Sequence, residues 1–288
     1  MKTVGYYNGQ IDEIDAMRVP MNDRAMYFGD GVYDATYAAN RKIFEVDYHL
    51  DRFYNSFTAL KMPFRLTREE LKTELQKCID KMDSNGVVFV YWQCTRGTGP
   101  RNHLFPTDGK PANLLIFIRE AKLTDLRRPF RVLTEEDTRF LHCNIKTLNL
   151  IPNVMAAQKA LEAGCDEVIF HRGTRVTECA HCNVHILKNG EFRTAPTDNL
   201  ILPGITRRHV LQICKRMQIP FREEAFTVDD LFTADEVIIS SAGTLCVPVC
   251  EIDGKKAGGK DPETLRKIQK AAVQDFYTET EYMPDIID

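Results

Sequence analysis

Apolar residues along this chain follow two different periodicities, one typical of strands and one typical of helices. The order of these segments shows no internal repeat. The runs at Lys42–Leu50 (KIFEVDYHL) and Val87–Gly97 (VVFVYWQCTRG) have the character of strands. Leu50–Met62 and Thr67–Met82 instead place apolar residues at helical spacing, and Thr67 followed by acidic residues is typical of a helix start. This mixture predicts an α+β fold.

A charged stretch divides the chain into two parts. Asn113–Leu133 (NLLIFIREAKLTDLRRPFRVL) runs from an apolar strand through charged residues into a second strand. With 288 residues the chain is also long for a single hydrophobic core. We therefore predict an N-terminal α/β domain at 1–120, a linker at 121–128 and a C-terminal α/β domain at 129–288.

Two local signals organise the second half. Ile151–Cys165 (IPNVMAAQKALEAGC) has a helical pattern that ends at Gly164, a residue suited to a helix C-terminus. The alternating run that follows breaks at Asn189-Gly190, which is a strong signal for a tight hairpin.

Composition excludes several classes of function. The formal net charge is -3 and the pI is near 6.2, so neither a nucleic-acid surface nor a basic membrane-binding patch is expected. The N-terminal residues lack the apolar core of a secretory signal, and no window is apolar over the length of a membrane span. Nine cysteines, an odd number, fit reduced thiols better than disulfides. We therefore expect a cytoplasmic protein.

Lys146 is the only formal charge in Cys143–Val154 (CNIKTLNLIPNV). A fully buried ammonium is costly unless it is paired or neutralised. Taken alone, this lysine is best explained by a stem that reaches solvent.

Two other segments suit an anion. Pro203-Gly204 lead into Thr206 and an apolar-periodic helix, so backbone amides and a hydroxyl could cradle a phosphate; a plain capped helix is the alternative. Arg52 lies among apolar residues on a predicted helix, where it could bind a phosphate or a carboxylate or simply face solvent.

A loop at Thr95–Pro106 (TRGTGPRNHLFP) carries Arg96, Arg101 and His103 directly after a strand. Cationic donors on such a loop suit an anionic substrate, and a solvated basic turn is the alternative.

Glu178, in Val176–Val184 (VTECAHCNV), is either a charge on an edge strand or a buried carboxylate with a cationic partner. The neighbouring Cys179, His181, Cys182 and His185 also suggest a metal site. We expect no metal here, because there is no second Cys-x-x-Cys pair and strand alternation would direct Cys179 and Cys182 to opposite faces.

A lysine, an acid, an arginine and a helix N-terminus together meet the needs of pyridoxal 5'-phosphate. That cofactor takes a lysine for its Schiff base, a carboxylate beside the pyridine nitrogen, and cationic or amide donors for its phosphate.

The chain resembles the class IV (fold-type IV) aminotransferases that depend on pyridoxal phosphate, and within them the group that acts on D-amino acids. The resemblance extends over nearly the whole chain, from YYNGQI to EIDGK. Its motifs are DRAMYFGDGVYD, HLDRFYNS, TRGTGPRNHLFP, CNIKTLNL, EAGCDEVIFHRGTRVTE, LILPGITR and PVCEIDGK.

This resemblance implies that the cofactor lies between the two domains with its Schiff base on Lys146. Glu178 would hold the pyridine nitrogen protonated, and Arg52 would bind the phosphate. The other cofactor-binding positions implied are Leu202, Gly204, Ile205, Thr206, Ser241 and Ala242.

The resemblance also implies a substrate site and an assembly. Tyr33, Arg101 and His103 correspond to the residues that bind the substrate α-carboxylate, with the arginine and the histidine coming from the partner in a homodimer. Fixing the carboxylate there would favour D-amino acids as donors, of the D-alanine and D-glutamate type, with a 2-oxo acid as acceptor in a ping-pong reaction. Arg139 would have a supporting role.

The sequence departs from the family at two places. Cys179-Ala180-His181-Cys182 replaces a serine-rich run, and Ala242 replaces a threonine that contacts the phosphate, which leaves Ser240, Ser241 and the backbone to compensate. The alternatives within the same fold are a branched-chain L-amino acid aminotransferase and a 4-amino-4-deoxychorismate lyase. An alternative from another class is a thiol- or zinc-dependent binding protein.

Overall fold

A computed structural model describes residues 1–287, which divide into two compact units. Unit 1 contains Met1–Lys122, Ile145–Asn149 and Glu279–Tyr282. Unit 2 contains Leu123–Asn144, Leu150–Thr278 and the residues from Met283 onward. The short segment around Lys146 therefore belongs to unit 1, whereas the sequence placed it in the C-terminal domain.

Unit 1 is built on an antiparallel sheet with the strand order β2-β1-β6-β5-β3-β4. Its strands are β1 (Thr3–Tyr7), β2 (Gln10–Asp12), β3 (Gly31–Ala39), β4 (Lys42–Ile43), β5 (Val88–Thr95) and β6 (Asn113–Glu120). Its helices are α1 (Arg24–Phe28), α2 (Val46–Ala59) and α3 (Arg68–Asp80), with a 3-10 turn at Ile14–Ala16.

The core of unit 1 lies between this sheet and helices α2 and α3. Phe53 of α2, Leu75 of α3, and Trp92 and Ile116 of the sheet are all fully buried in one apolar cluster. Thr67 caps α3 through a reciprocal pair of hydrogen bonds with Glu70, which confirms the helix start predicted from the sequence.

The predicted strand at Lys42–Leu50 is wrong beyond its second residue. Asn40 and Arg41 both have positive φ, 47° and 63°, and turn the chain tightly so that only Lys42–Ile43 pairs with β3. Glu45, with φ of 55°, then redirects the backbone into α2, whose amphipathic pattern begins at Val46.

Unit 2 is built on a mixed sheet with the order β12-β11-β10-β13-β14-β7-β8-β9, and β15 pairs with β14. The first strands along the chain are β7 (Phe130–Glu136), β8 (Glu167–Arg172), β9 (Arg175–Cys179), β10 (Asn183–Lys188) and β11 (Glu191–Thr194). The later strands are β12 (Phe221–Glu223), β13 (Glu236–Ser240), β14 (Val247–Ile252) and β15 (Lys255–Lys256). The helices are α4 (Ile151–Glu162), α5 (Ile205–Arg216), α6 (Val228–Thr233) and α7 (Pro262–Thr280).

Two apolar clusters hold these layers together. One includes Val210 of α5, Ile238 of β13 and Ile268 of α7; the other joins Ala160 of α4 to Phe170 of β8. The hairpin predicted at Asn189-Gly190 is confirmed, because both residues have positive φ and join β10 to β11.

The mixture of helices and mixed sheets confirms the predicted α+β class. Among residues 1–287, no helix combines the length and the apolar character required to cross a membrane.

Candidate active site

The Lys146 segment is fixed to strand β3 of unit 1 by its backbone. The amide of Tyr33 donates to the carbonyl of Lys146 over 3.0 Å, and the amide of Leu148 donates to the carbonyl of Gly31 over the same distance. A Cβ atom added at Gly31 would lie 2.5 Å from Leu148 Cδ1 and 2.8 Å from the Cys94 carbonyl oxygen. Glycine therefore permits the close approach that places Lys146 beside β3.

The Lys146 side chain is only partly buried, and its amine lies 4.3 Å from the centroid of the Tyr33 ring. An ammonium over an aromatic face is stabilised by the ring electrons. The unit thus brings together two residues that the sequence predicted for the site, one as the reacting amine and one as a substrate ligand. Tyr33 is itself stacked on Tyr91, with 5.4 Å between ring centroids.

Arg52 of α2 is buried in a network with Asp34 of β3. Its Nε and Nη2 atoms donate to Asp34 Oδ2 and Oδ1 over 2.9 and 2.7 Å, and His49 Nδ1 lies 2.7 Å from Asp34 Oδ1. Burial alone would raise the pKa of Asp34, but the Arg52 guanidinium, together with His49, holds that pKa well below its usual range. Burial also lowers the pKa of His49, in spite of the adjacent carboxylate, so the imidazole is neutral near pH 7 and donates Nδ1–H to Asp34.

Arg101 and His103 lie on an exposed loop of unit 1, and both pack on Phe28. The Arg101 Cζ atom is 5.3 Å from the Phe28 ring centroid, and the His103 ring centroid is 5.1 Å from it. In the part of the chain that the structure describes, no hydrogen bond or ion pair joins Tyr33 to either residue. The described contacts within one chain therefore join Arg101 and His103 to Phe28 and not to Tyr33.

Arg96, the other arginine of this loop, differs from Arg101 in its role. It is buried, and its Nε donates to both carboxylate oxygens of Asp30, at 3.1 and 2.9 Å. Its two terminal nitrogens donate to the backbone carbonyls of Lys61 and Leu60, each over 3.0 Å. Arg96 thus anchors the base of the loop, whereas the Arg101 and His103 side chains are exposed at its surface.

Glu178 of β9, in unit 2, is a buried carboxylate with a cationic partner, as one of the two interpretations of the sequence expected. It accepts a short hydrogen bond from Arg139 Nη1, and its Oε2 accepts from Asn183 Nδ2 and from the amide of Leu202, each over 3.1 Å. These N–H donors and the guanidinium charge stabilise the ionised carboxylate.

Arg139 is fixed in turn by Asp137. Two parallel hydrogen bonds of 2.9 Å join its Nε and Nη2 to the two carboxylate oxygens of Asp137. Burial alone would lower the pKa of Arg139, but Asp137 and Glu178 raise it further above its usual value, so the guanidinium stays charged. Asp137 also accepts from the Thr177 hydroxyl over 3.0 Å, and this ties the pair to β9.

The start of helix α5 is placed beside Glu178 by Asn183. Asn183 Nδ2 donates to Glu178 Oε2 and to the Leu202 carbonyl, both over 3.1 Å. A Cβ atom at Gly204 would lie 1.9 Å from Asn183 Oδ1, so only glycine fits at this position. Gly204 gives no side-chain cap, so the amides of the first helical turn are hydrogen-bond donors of the kind that suit an anion.

The Ser240 and Ser241 hydroxyls, which were expected to compensate for Ala242, have hydrogen-bond partners within unit 2. Ser240 Oγ lies 2.7 Å from Nε2 of the buried His185. Ser241 Oγ pairs with Thr244 Oγ1 over 2.9 Å and also accepts from the Thr244 amide, which closes the turn after β13. Ser240 is thus committed to His185, whereas Ser241 and Thr244 form a pair of hydroxyls next to Ala242.

Several residues of this arrangement were not predicted from the sequence. Asp34, His49, Asn183, Asp137 and Thr244 were passed over because each is an ordinary polar residue until the strands and helices bring its partner close. One feature of the sequence points to Asn183, since it directly follows the Cys179–Cys182 turn.

Comparison with known proteins identifies the family. Residues 31–252 match the amino-transferase class IV family. The D-alanine aminotransferase of Staphylococcus haemolyticus is 39% identical over 269 residues, which cover 92% of this chain and 95% of that protein. The D-alanine aminotransferase of Listeria monocytogenes serotype 4b is 38% identical over 274 residues, 93% of this chain and 94% of that protein.

Solved structures with a similar fold include branched-chain amino acid aminotransferases. The branched-chain amino acid aminotransferase of Escherichia coli superposes with a TM-score of 0.88 over 100% of this chain and 99% of that one, at 21% identity. At that identity the likeness concerns the fold alone. The family match and the 39% identity over most of the chain establish more: this chain belongs to the class IV aminotransferases, the pyridoxal-phosphate-dependent transaminases of that fold.

Proposed function

We propose that this transaminase takes the amino group from D-amino acids of the D-alanine and D-glutamate type and transfers it to a 2-oxo acid. The relatives that are 39% identical over 92% of the chain carry the name D-alanine aminotransferase. The observation that carries the proposal is the pairing of Lys146 with Tyr33, because it sets the reacting amine and a predicted carboxylate ligand on the same strand edge.

The donor groups of both units fit pyridoxal phosphate. Unit 1 offers the Lys146 amine and the oriented Arg52 guanidinium; unit 2 offers the Glu178 carboxylate and the N-terminus of α5 behind Gly204. We propose that Arg52, Ile205 and Thr206 bind the cofactor's phosphate, that Leu202 packs against its ring, and that Ser241 and the Ala242 backbone also contribute to its binding. When bound, the cofactor supplies an aldehyde that condenses with amines and a ring that withdraws electrons.

Lys146 is the proposed acid and base of the reaction. Its Nζ removes the proton from the Cα atom of the amino acid in the first half-reaction and returns a proton to the Cα atom of the product amino acid in the second. Glu178, held ionised by Arg139 and Asn183, would keep the pyridine nitrogen of the bound cofactor protonated. Arg139 orients Glu178 and touches no reacting atom.

Preference for the D-enantiomer follows from where the α-carboxylate is held. We propose that Tyr33, Arg101 and His103 bind that carboxylate, because hydrogen-bond donors and cationic groups suit a negative charge. With the carboxylate on the Tyr33 side, the hydrogen of a D-amino acid faces Lys146, whereas that of an L-amino acid points away. Substrate handedness is thus set by binding geometry and not by a different catalytic group.

A homodimer is part of the same proposal. Leu104 and Phe105, next to Arg101 and His103, are 74% and 53% exposed. Apolar side chains on the same loop as the exposed Arg101 and His103 support a partner subunit on this surface. The cytoplasmic location stays a prediction from the sequence.

The test is a comparison of amino donors with the protein loaded with pyridoxal phosphate. D-alanine, L-alanine and L-leucine are each supplied with 2-oxoglutarate, and both the 2-oxo acid product and the change in cofactor absorbance are followed. We expect turnover with D-alanine and none above background with L-leucine. Faster turnover of L-leucine would place the enzyme with the branched-chain aminotransferases, and a cofactor spectrum that no amino acid changes would exclude transamination of this class.

A further inference from the structure

The turn between β9 and β10 gathers three metal-binding side chains that the transaminase reaction does not use. The amide of Cys179 donates to the carbonyl of Cys182 over 2.8 Å and closes the turn. Glu167, from the start of β8, reaches the same place. One ligand atom each of Glu167, His181 and Cys182 lies within 4.8 Å of the other two.

Glu167 is the buried side of this group. Its side chain is 1% exposed, and its Oε1 accepts from the amides of Val168 and Ala180 over 2.8 and 3.2 Å. Oε2 lies 2.7 Å from His181 Nδ1, yet within residues 1–287 it has no partner with hydrogen-bond geometry. The two atoms form an ion-pair contact, and both are within reach of one ion after a small movement of the exposed His181 ring.

Exposure and chemistry complete the argument. Cys182 is buried, and the His181 side chain is 63% exposed, so an ion can enter from the solvent side while the other two ligands hold it from within. A carboxylate, an imidazole and a thiolate form the mixed set of oxygen, nitrogen and sulfur ligands that zinc accepts. Sulfur makes magnesium and calcium poor candidates.

We propose that Glu167, His181 and Cys182 bind one Zn²⁺ ion through Oε2, Nδ1 and Sγ, with a solvent molecule in the fourth position. The sequence argued against a metal because strand alternation would separate Cys179 from Cys182. That argument does not apply, because β9 ends at Cys179 and β10 begins at Asn183, and because the third ligand is Glu167 on another strand and not Cys179.

The test is a zinc titration of the reduced holoenzyme in competition with a chromophoric chelator. The variants are Cys182→Ser, His181→Ala and Glu167→Gln, and Cys250→Ser controls for the loss of a partly exposed thiol elsewhere in unit 2. A parallel titration with Co²⁺ reports the ligand set through its visible d–d bands. These readouts do not depend on transamination, so they are independent of the proposed function.

We expect one equivalent of zinc per chain in the wild type and in Cys250→Ser. Loss of either ligand in Cys182→Ser or His181→Ala should weaken binding at least about tenfold and change the cobalt spectrum. His181 is exposed, so its variant is expected to fold even if Glu167→Gln does not. Equal affinity of His181→Ala and the wild type, or no stoichiometric uptake by the wild type, would overturn the site.

Discussion

Arg52 and Asp34 form a buried, two-pronged ion pair, in which Nε and Nη2 of the arginine lie 2.9 and 2.7 Å from the two carboxylate oxygens. The pair joins α2 to β3, and His49 adds a third contact to the same carboxylate at 2.7 Å. Because Asp34 holds one edge of the guanidinium, the whole group has a fixed orientation. An anion can then bind at another edge of the same group.

Replacing Asp34 by asparagine should therefore damage both stability and cofactor binding. The change leaves the buried Arg52 charge without its counterion, which typically costs about 3–5 kcal/mol of unfolding free energy. We expect weaker binding of pyridoxal phosphate because the guanidinium is no longer oriented. Chemical denaturation of the apoprotein and an absorbance titration with the cofactor measure the two effects separately.

Arg52→Lys is the matched variant for that experiment. It keeps the positive charge beside Asp34 but loses the planar pair of donors, so stability should fall less than in Asp34→Asn while cofactor affinity falls at least about tenfold. If both variants bound pyridoxal phosphate with wild-type affinity, the proposal that Arg52 binds the phosphate would be wrong.

Lys146→Ala should abolish transamination and leave unit 1 folded. The backbone of the segment is held by hydrogen bonds of its own to β3, so loss of the side chain removes the amine and not the anchoring. We expect the rate of the half-reaction with D-alanine to fall at least about a thousandfold, in line with loss of a positioned base. Lys77→Ala, on the exposed face of α3, is the control.

A chemical readout accompanies that variant. Borohydride treatment of the cofactor-loaded wild type should leave a pyridoxyl group on the peptide that contains Lys146, which mass spectrometry of the digest locates. A label on another lysine would refute the assignment even if Lys146→Ala were inactive.

Glu178→Gln should slow catalysis more than it weakens cofactor binding. The amide is close in shape to the carboxylate but carries no charge, and it leaves Arg139 with Asp137 as its remaining acidic partner. We expect kcat for D-alanine to fall about a hundredfold or more, with the cofactor still bound. Glu162→Gln, on the exposed end of α4, should retain wild-type kcat. An unchanged kcat in Glu178→Gln would show that this charge does not act on the cofactor ring.

Local signals in the sequence predicted the elements, and contacts between distant segments produced what was missed. The Thr67 cap and the Asn189-Gly190 turn depend on neighbouring residues, so each was recognised from its own few letters. The Asp34 network requires β3 to lie against α2, and the Lys146 segment requires Gly31 on a strand far earlier in the chain. No residue spacing in a single sequence reveals either of these contacts.

The proposed metal ligands show the same limit. Cys182 and His181 were noticed as neighbours, but Glu167 enters the group only because β8 and β9 pair as an antiparallel hairpin. Alternation was the wrong rule there, since it applies within a strand and not across a turn.

Mixing two inactive variants tests whether Arg101 acts across a dimer. Lys146→Ala lacks the reacting amine, and Arg101→Leu lacks the proposed carboxylate ligand. If Arg101 serves the partner subunit, a hybrid dimer has one complete site, and an equal mixture that re-equilibrates should recover about a quarter of the wild-type activity. If Arg101 acts within its own chain, no hybrid has a complete site and activity stays at the level of the separate variants. Lys110→Leu, on an exposed part of the same connection, controls for loss of a cation.

His185 should make the stability of unit 2 depend on pH. Its two ring nitrogens lie 2.8 Å from Thr194 Oγ1 and 2.7 Å from Ser240 Oγ, and burial, with a smaller contribution from Arg207, lowers its pKa from 6.5 to about 3. Below pH 6.5 the unfolded chain takes up a proton that the folded chain refuses, so stability falls as the pH falls toward 3.

Linkage gives this loss a size of about 2 kcal/mol between about pH 7.5 and about pH 5. His185→Gln has no proton to take up, so the difference in unfolding free energy between those two pH values should shrink by that amount, whatever the variant costs at neutral pH. Chemical denaturation at both pH values measures it, and His142→Gln, an exposed histidine, should keep the wild-type difference. An equal pH dependence in His185→Gln and the wild type would mean that His185 takes up its proton as readily in the folded chain as in the unfolded chain, which would contradict the lowered pKa.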